Sequence, residues 1–321
     1  MRAITLVMLP PLTVIQRDWG RRLAELFPAL NVVVAEDEAD AAIVTADAAY
    51  GTLSPERLAR ATRLRWLQSP QAAPPAGYYF PSLIAHPVVV TNMRGIFDDR
   101  IGVHIMAFVT AFARGLHYYL RDQAAGKWAP RPNDTGVTHL PDSTALIAGV
   151  GGIGAETARL ANAFGMRVIA TDARLTQAPA GVSELHPAEA FTELLPQADF
   201  VILTVPHTPA TEGFMNRTLF QHMKPTAFFI NIGRGMTTRL DDLVAALKAG
   251  EIAGAGLDVF EQEPLPPDHP LWSMPNVLLT PHTAAYGPHL DERRFEILRR
   301  NCQVMLHGGD LVNVVDKTMW F

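Results

Sequence analysis

Nine residues near the middle of the chain, LIAGVGGIG (Leu146–Gly154), constrain its fold more than any other stretch. An apolar run, TALIAGV, reads as a strand. Gly149, Gly151 and Gly154 follow, and GAETARLANAFG then reads as a helix closed by Gly165. Strand, glycine turn and helix in that order open a parallel α/β unit. Gly149 allows a tight turn, Gly151 lets a backbone approach a pyrophosphate, and Gly154 lets helix and strand pack closely. The helix start offers unpaired N–H groups and a positive dipole end to phosphates. Alone, the motif is as compatible with a packing turn. Its sequel favours a nucleotide: Asp172 ends the next strand, RVIATD, where an acidic side chain can bond a ribose diol. Its charge repels a 2′-phosphate and so favours NAD over NADP. Arg174, two residues on, suits a phosphate and keeps NADP open.

The rest of the chain keeps the same rhythm. Before the glycine turn, strands are expected at AITLVML, NVVVA, AAIVT, LRWLQS and PVVVTN, and helices at Trp19 to Phe27 and Pro55 to Thr62. A longer helix is expected from about Asp99 to Arg121, where Ile101, Ile105, Phe108 and Phe112 recur at helical spacing. An arm rich in Pro, Gly, Asn and Asp follows it. After the turn, DFVILTV, AFFINI, AGAGLDVF and NVLLTPH read as strands. Helices fit between them at Ala188 to Leu195, Asn216 to His222 and Arg239 to Gly250.

Parallel sheets collect ligands beyond the carboxyl ends of their strands. Four successive strand ends here carry polar chemistry: Pro206-His207, Gly233-Arg234-Gly235, Asp258 with Glu263 behind it, and Pro281-His282. Arg234 between two glycines suits bidentate capture of a carboxylate. His282 can exchange a proton near neutral pH. Glu263 can orient its ring and stabilise its charged form. Together they suit addition of hydride to a carbonyl beside a carboxylate. Asp258 is the expected partner of a nicotinamide carboxamide.

Bulk properties exclude other classes. A net charge of −5 leaves no electrostatic footprint for nucleic acid or an anionic membrane. No apolar run reaches the ~20 residues of a membrane helix. The apolar start is broken by Pro10-Pro11 and reads as a strand, not a signal peptide. Cys302 is the single cysteine, so no internal disulfide exists, which suits a cytoplasmic protein. No Cys/His cluster has metal-ligand spacing, so no metal is expected.

GVGGIG, NIGRG, LDVFEQEP and TPHTA resemble, in order, the signature segments of the D-isomer-specific 2-hydroxyacid dehydrogenase family. VPHTPATEGFMN, GKW and LVNVVD are similar to it more loosely, and the likeness spans roughly 90–316. The resemblance implies catalytic roles for Arg234, Glu263 and His282. It implies nucleotide contacts at Gly152, Ile153, Asp172, Pro206, Ile232, Gly233 and Asp258. It implies a two-domain α/β protein, with a Rossmann-type NAD-binding domain (104–289) inserted into a flavodoxin-like substrate domain (1–103 and 290–321). The chain would return to that domain through a last helix, about Leu290 to His307. A homodimer is implied, with the arm from Gly115 to Val137, bearing Tyr118, Tyr119 and Trp128, as a candidate contact. The implied partner is a small 2-oxo or 2-hydroxy acid, with glyoxylate or hydroxypyruvate as the default.

Two departures from that pattern stand out. The loop after LRWLQS reads SPQAAPPAGYYFP (Ser69 to Pro81), where the family usually reads Ser-Ala-Gly-Val-Asp. Pro70, Pro74 and Pro75 have no N–H to offer a substrate carboxylate. Gly102-Val103-His104 stands where the family often has Ala-Glu-His. The altered loop keeps a reductase of a bulkier oxo acid as an alternative. A formate dehydrogenase would not need the His–Glu pair. A non-enzymatic NAD-sensing corepressor could keep all three catalytic residues.

Overall fold

The computed structural model describes residues 3–34, 39–72, 75, 77–131 and 137–320. The chain forms two compact units, one of residues 1–96 with 287–321, the other of residues 97–286.

The first unit is built on β1 (Ile4–Met8), α1 (Val14–Leu26), β2 (Leu30–Val33), α2 (Ala39–Ala42), β3 (Ala48–Tyr50), α3 (Pro55–Arg60), β4 (Trp66–Gln68), α4 (Pro81–Ala85) and β5 (Val89–Thr91). Its five parallel strands run in the order β2-β1-β3-β4-β5, the flavodoxin-like winding. α1 begins five residues before the Trp19 start expected for it. Thr13 and Gln16 form a capping box there: the Thr13 hydroxyl accepts from Gln16 N–H, and the Gln16 side chain accepts from Thr13 N–H.

AAIVT is not a strand. Its alanines finish α2 and Ile43–Thr45 make a 3₁₀ turn, while the strand is the next segment, Ala48–Tyr50. A short apolar run cannot by itself distinguish a buried strand from a buried turn of helix. Helix-forming alanine sets the first half, and Ile43 satisfies burial from the turn.

The second unit contains α5 (Asp98–Ala113), α6 (Leu116–Ala124), β6 (Thr144–Ala148), α7 (Gly152–Ala163), β7 (Arg167–Asp172), β8 (Glu184–Pro187), α8 (Phe191–Leu194), β9 (Phe200–Leu203), α9 (Arg217–His222), β10 (Phe228–Asn231), α10 (Leu240–Ala249), β11 (Gly254–Leu257) and β12 (Val277–Leu279). Its seven strands are all parallel, in the order β12-β11-β10-β9-β6-β7-β8. The winding reverses between β6 and β9, the switch point of a Rossmann-type sheet. The parallel α/β expectation therefore holds in both units.

The single helix expected from Asp99 to Arg121 is two. Gly115 takes φ +64, a left-handed conformation that costs glycine little, and breaks it. α5 lies along α7 because Gly102 has no side chain: a Cβ there would meet Glu156 Cγ at 3.0 Å and Leu160 at 3.3 Å.

The last helix, α11 (Leu290–His307), belongs to the first unit. Phe295 tilts against Trp19 of α1, with Arg22 3.8 Å above its ring. Buried Asn301 is the stronger tie. Its Nδ2 donates to Gln68 Oε1 (3.1 Å) and to the Val312 carbonyl (3.2 Å), and its Oδ1 accepts from Val312 N–H (2.7 Å). Gln68 Oε1 also accepts from Thr91 Oγ1, which accepts from Trp66 Nε1 (both 2.8 Å). Removing one member strands buried partners, which costs about 1–3 kcal/mol. Asn301→Ala should lower the free energy of unfolding by about that amount in urea titrations. A change within about 0.5 kcal/mol would contradict the network's structural role.

Candidate active site

Close backbone approach builds the glycine turn. Gly149 takes φ +84 at the end of β6, and its N–H donates to the Thr171 carbonyl at 2.7 Å. A Cβ on Gly154 would lie 2.0 Å from the Gly149 carbonyl oxygen and 2.9 Å from Thr204 Oγ1, so only glycine brings α7 this close. Thr204, just past β9, donates its hydroxyl to the carbonyls of Ala148 (3.1 Å) and Gly149. A Cβ on Gly151, the residue before α7, would meet nothing within 4 Å, which leaves that approach open. This cradle, at the switch point and at a helix start, fits a dinucleotide pyrophosphate.

Asp172 is tied to the same turn. Its Oδ2 accepts from Val150 N–H at 3.0 Å, and its Oδ1 from Arg174 and Leu175 N–H at 2.9 and 3.0 Å. Burial pushes this carboxyl up. The three N–H donors and the nearby Arg174 charge outweigh it, and the net shift is downward. Asp172 is thus ionised, with lone pairs still open to a ribose diol. The remaining nucleotide candidates lie on neighbouring strand ends. Pro206 follows β9 and its carbonyl accepts from Thr211 Oγ1 at 2.6 Å. Ile232 and Gly233 follow β10 and are buried. Gly233 presses on the segment just after β9, since its Cβ would meet the Val205 carbonyl at 2.7 Å.

Arg234 stands on that β10 loop in an extended conformation. Asn231, fully buried, clasps the loop. Its Oδ1 accepts from Gly233 N–H (3.0 Å), and its Nδ2 donates to the Arg234 carbonyl (3.2 Å) and the Thr237 and Thr238 hydroxyls (3.2 and 3.0 Å). Arg234 donates from its guanidinium to the Gly233 carbonyl at 2.6 Å. Burial lowers its pKa and the charge of Glu263 raises it, so Arg234 and Glu263 share one electrostatic neighbourhood. Arginine stays charged under any such shift of ordinary size.

Glu263 Oε2 lies 2.7 Å from His282 Nδ1, and Glu263 Oε1 accepts from Phe260 N–H at 3.0 Å. A carboxylate only accepts, so Nδ1 carries the proton and Nε2 is the atom left for a substrate. His282 takes φ +54, rare for a residue with a Cβ. Asp258 holds it there. Its carbonyl accepts from His282 N–H (2.8 Å), its Oδ1 from the Thr280 hydroxyl (2.6 Å) and Thr283 N–H (2.8 Å), and its Oδ2 from Ala284 N–H (2.9 Å). Asp258 is 1% exposed, so this clamp accounts for its position whether or not it also meets a carboxamide. His104 Nε2 lies 2.9 Å from Thr280 Oγ1. Because Thr280 gives its proton to Asp258, His104 must be the donor to Thr280.

Arg234, Glu263 and His282 thus come from three loops at one edge of the second sheet. Sequence reasoning missed Asn231, Thr204 and the clamping role of Asp258. For the first, the sequence offers no more than an asparagine two residues before Gly233-Arg234-Gly235, which encodes neither its burial nor its partners. The expected Ser69 to Pro81 loop belongs to the first unit. There Gln71 N–H donates to Ser69 Oγ (3.3 Å), Asn92 Nδ2 to the Ala72 carbonyl (2.8 Å), and Tyr78 hydroxyl to the Gly51 carbonyl (3.1 Å). Residues 73, 74 and 76, Pro74 among them, lie outside the described residues, as do 132–136 of the arm. Among the described residues, no three His, Cys, Asp or Glu side chains converge as a metal ion would require. No helix among them is long and apolar enough to cross a membrane.

Residues 106–284 match the sequence model described as the D-isomer specific 2-hydroxyacid dehydrogenase, NAD binding domain. A glyoxylate reductase of Korarchaeum cryptofilum is 37% identical over 235 residues, 72% of this chain and 70% of that protein. A D-isomer specific 2-hydroxyacid dehydrogenase of Xanthobacter autotrophicus, solved with NADPH and MES, superposes with TM-score 0.82 at 28% identity, covering 99% of this chain and all of that one. An NADPH-dependent glyoxylate/hydroxypyruvate reductase of Sinorhizobium meliloti, solved with NADP and sulfate, gives 0.83 at 26% identity, covering 99% of this chain and 100% of that one.

The Gly235 contact offers a direct test of the loop. A Cβ on Gly235 would lie 1.8 Å from the Phe260 carbonyl oxygen, three residues before Glu263. Gly235→Ala should push the Arg234 loop off the Glu263 loop and cut kcat/KM by about 10²-fold or more. Near-normal kcat/KM in a folded variant would show that this spacing does not matter.

Proposed function

Because this chain belongs to the D-isomer specific 2-hydroxyacid dehydrogenase family, and so is an NAD(P)-dependent oxidoreductase of 2-oxo and 2-hydroxy acids, we propose that Arg234, Glu263 and His282 are its catalytic residues. The observation that carries this reading is the 2.7 Å Glu263–His282 contact, with Arg234 in the same electrostatic neighbourhood. The dinucleotide, when bound, supplies or accepts the hydride. Gly149, Gly151, Gly152, Ile153 and Gly154 cradle its pyrophosphate. Asp172, with Arg174 beside it, takes the ribose, and Pro206, Ile232, Gly233 and Asp258 complete its contacts. Arg234 pairs with the substrate carboxylate and polarises the adjacent carbonyl. His282 holds a proton on Nε2 and gives it to the developing alkoxide oxygen. Glu263 fixes the ring and offsets the imidazolium charge, and in the reverse direction Nε2 takes the proton back.

The preferred dinucleotide is NAD(H), since Asp172 is ionised and would face a 2′-phosphate. The two solved relatives named above were crystallised with NADPH or NADP, so the comparison of kcat/KM with NADH and NADPH is decisive. The default substrate is glyoxylate or hydroxypyruvate, in keeping with the relatives' names. The proline-bearing Ser69 to Pro81 loop favours a bulkier 2-oxo acid as the second reading. We assign the substrate domain to the first unit (1–96 with 287–321) and the nucleotide domain to the second (97–286), seven and three residues from the boundaries expected from sequence. We assign a cytoplasmic homodimer whose contact includes the 115–137 arm, where Leu116, Leu120 and Trp128 are exposed.

A panel of 2-oxo acids with NADH and with NADPH, followed by absorbance, tests the reading. Turnover of glyoxylate or hydroxypyruvate is expected. Failure of every 2-oxo acid with both dinucleotides would overturn the catalytic assignment and favour a binding protein. His282→Ala should lower kcat by about 10²-fold or more while NADH affinity stays within a factor of about two. A variant with near-normal kcat would remove His282 from the mechanism.

A further inference from the structure

A carboxylate stands beside the glycine turn, where the pyrophosphate of a dinucleotide is expected. Asp98, in the first turn of α5, packs against Gly152, the first residue of α7. A Cβ on Gly152 would lie 2.1 Å from Asp98 Oδ2, 2.7 Å from Cγ and 3.0 Å from Oδ1. The absence of a side chain at Gly152 thus makes room for Asp98. A side chain there would fill space that the Asp98 carboxylate now occupies.

Two further acidic groups bear on it. Asp99 follows it on α5. Glu156 lies one turn along α7, held by Arg159 through bonds of 2.7 and 2.8 Å. Burial first, then the charges of Asp99 and Glu156, push the Asp98 carboxyl above its ordinary value. Gly102 keeps the two helices close enough for this to persist.

We propose that Asp98 is an electrostatic gate on the dinucleotide: its carboxylate opposes the pyrophosphate at Gly152, so that binding is coupled to uptake of a proton by Asp98. The proposal rests on the reading of the glycine turn as the pyrophosphate site. The sign follows from charge. An arriving pyrophosphate raises the Asp98 pKa further, since it disfavours a neighbouring anion. The complex is then favoured fully at pH below the Asp98 pKa of the free protein. The advantage is lost as pH rises through the higher pKa of the complex. Asp98 is therefore a specificity-determining residue for charge at the turn and touches no reacting atom. The same carboxylate discriminates against ligands that bring more negative charge to Gly152 than a pyrophosphate diester does.

The test is calorimetric titration of the full chain with NADH and with ADP-ribose, which carries the pyrophosphate without the nicotinamide. It is run from about pH 5 to about pH 8.5, in buffers of differing ionisation enthalpy. Wild type should take up a fraction of a proton per ligand, greatest between the Asp98 pKa of the free protein and that of the complex, and its affinity should fall as pH rises through that interval. Asp98→Asn, nearly isosteric, should bind both ligands about tenfold more tightly near neutral pH, with a flat pH dependence and no linked proton uptake. Asp98→Ser should behave the same way. Unchanged or weaker binding in both variants, with the wild-type pH slope retained, would overturn the gate while leaving the dinucleotide site intact. An equal gain from Asp99→Asn would also overturn it, as a general charge effect. Failure of wild type to bind any of NADH, NADPH and ADP-ribose would overturn the gate and the dinucleotide reading together.

Discussion

The contact on which the second unit depends is the approach of Gly154 to the Gly149 carbonyl. No side chain fits between them, so α7 starts directly off the end of β6 with its first N–H groups at the strand edge. Everything downstream is referenced to that edge. The strands are all parallel, so each βα connection from β9 to β12 delivers its first loop to the same side. Thr204 and Gly233 repeat the device, one by bonding the turn's carbonyls and the other by pressing on the Val205 carbonyl. Polar groups on separate loops are thereby placed by backbone contacts, which have less freedom than side-chain ones.

The Glu263–His282 pair shows how such a frame holds a strained group. A histidine at φ +54 is unfavourable unless its surroundings fix it. Asp258 does so with both carboxylate oxygens and its carbonyl, spanning Thr280 to Ala284. The cost of burying that aspartate is offset by three donors. His104 adds a donor to Thr280 from α5, which links the helix carrying Asp98 to the loop carrying His282. The Thr280–Ala284 loop is thereby held by a carboxylate expected, from sequence, to face the cofactor.

The sequence revealed most where its local pattern and its tertiary role agreed. Gly149, Gly151 and Gly154 are needed for backbone reasons that spacing alone exposes, and strand ends mark one edge whatever the side chains are. It misled where they diverged. AAIVT is apolar enough for a strand, but Ile43 reaches the core from a turn, and the strand that pairs with β1 is the blander AAY. β8 was overlooked because ELHP is a half-exposed edge strand without apolar alternation. Asn231 and Asp98 were illegible for a different reason. Each acts on a partner brought near by the fold, a loop for one and Gly152 for the other, and no local periodicity encodes that.

The two units hold their loops by different means, with a consequence for selectivity. At Arg234 and His282 a substitution in the glycine, asparagine or aspartate scaffold moves the backbone itself. The segment after β4 is held by softer bonds: Ser69 Oγ to Gln71, and Asn92 to the Ala72 carbonyl. Pro70 and Pro75 remove N–H donors without removing either anchor. Residues there can change while the backbone contacts that place Arg234 and His282 stay fixed. On the proposed assignment of roles, substrate range could shift in the first unit at little cost to catalysis in the second. A glycine turn and a Glu263–His282 pair that resemble the family's can accordingly coexist with a loop that departs from it.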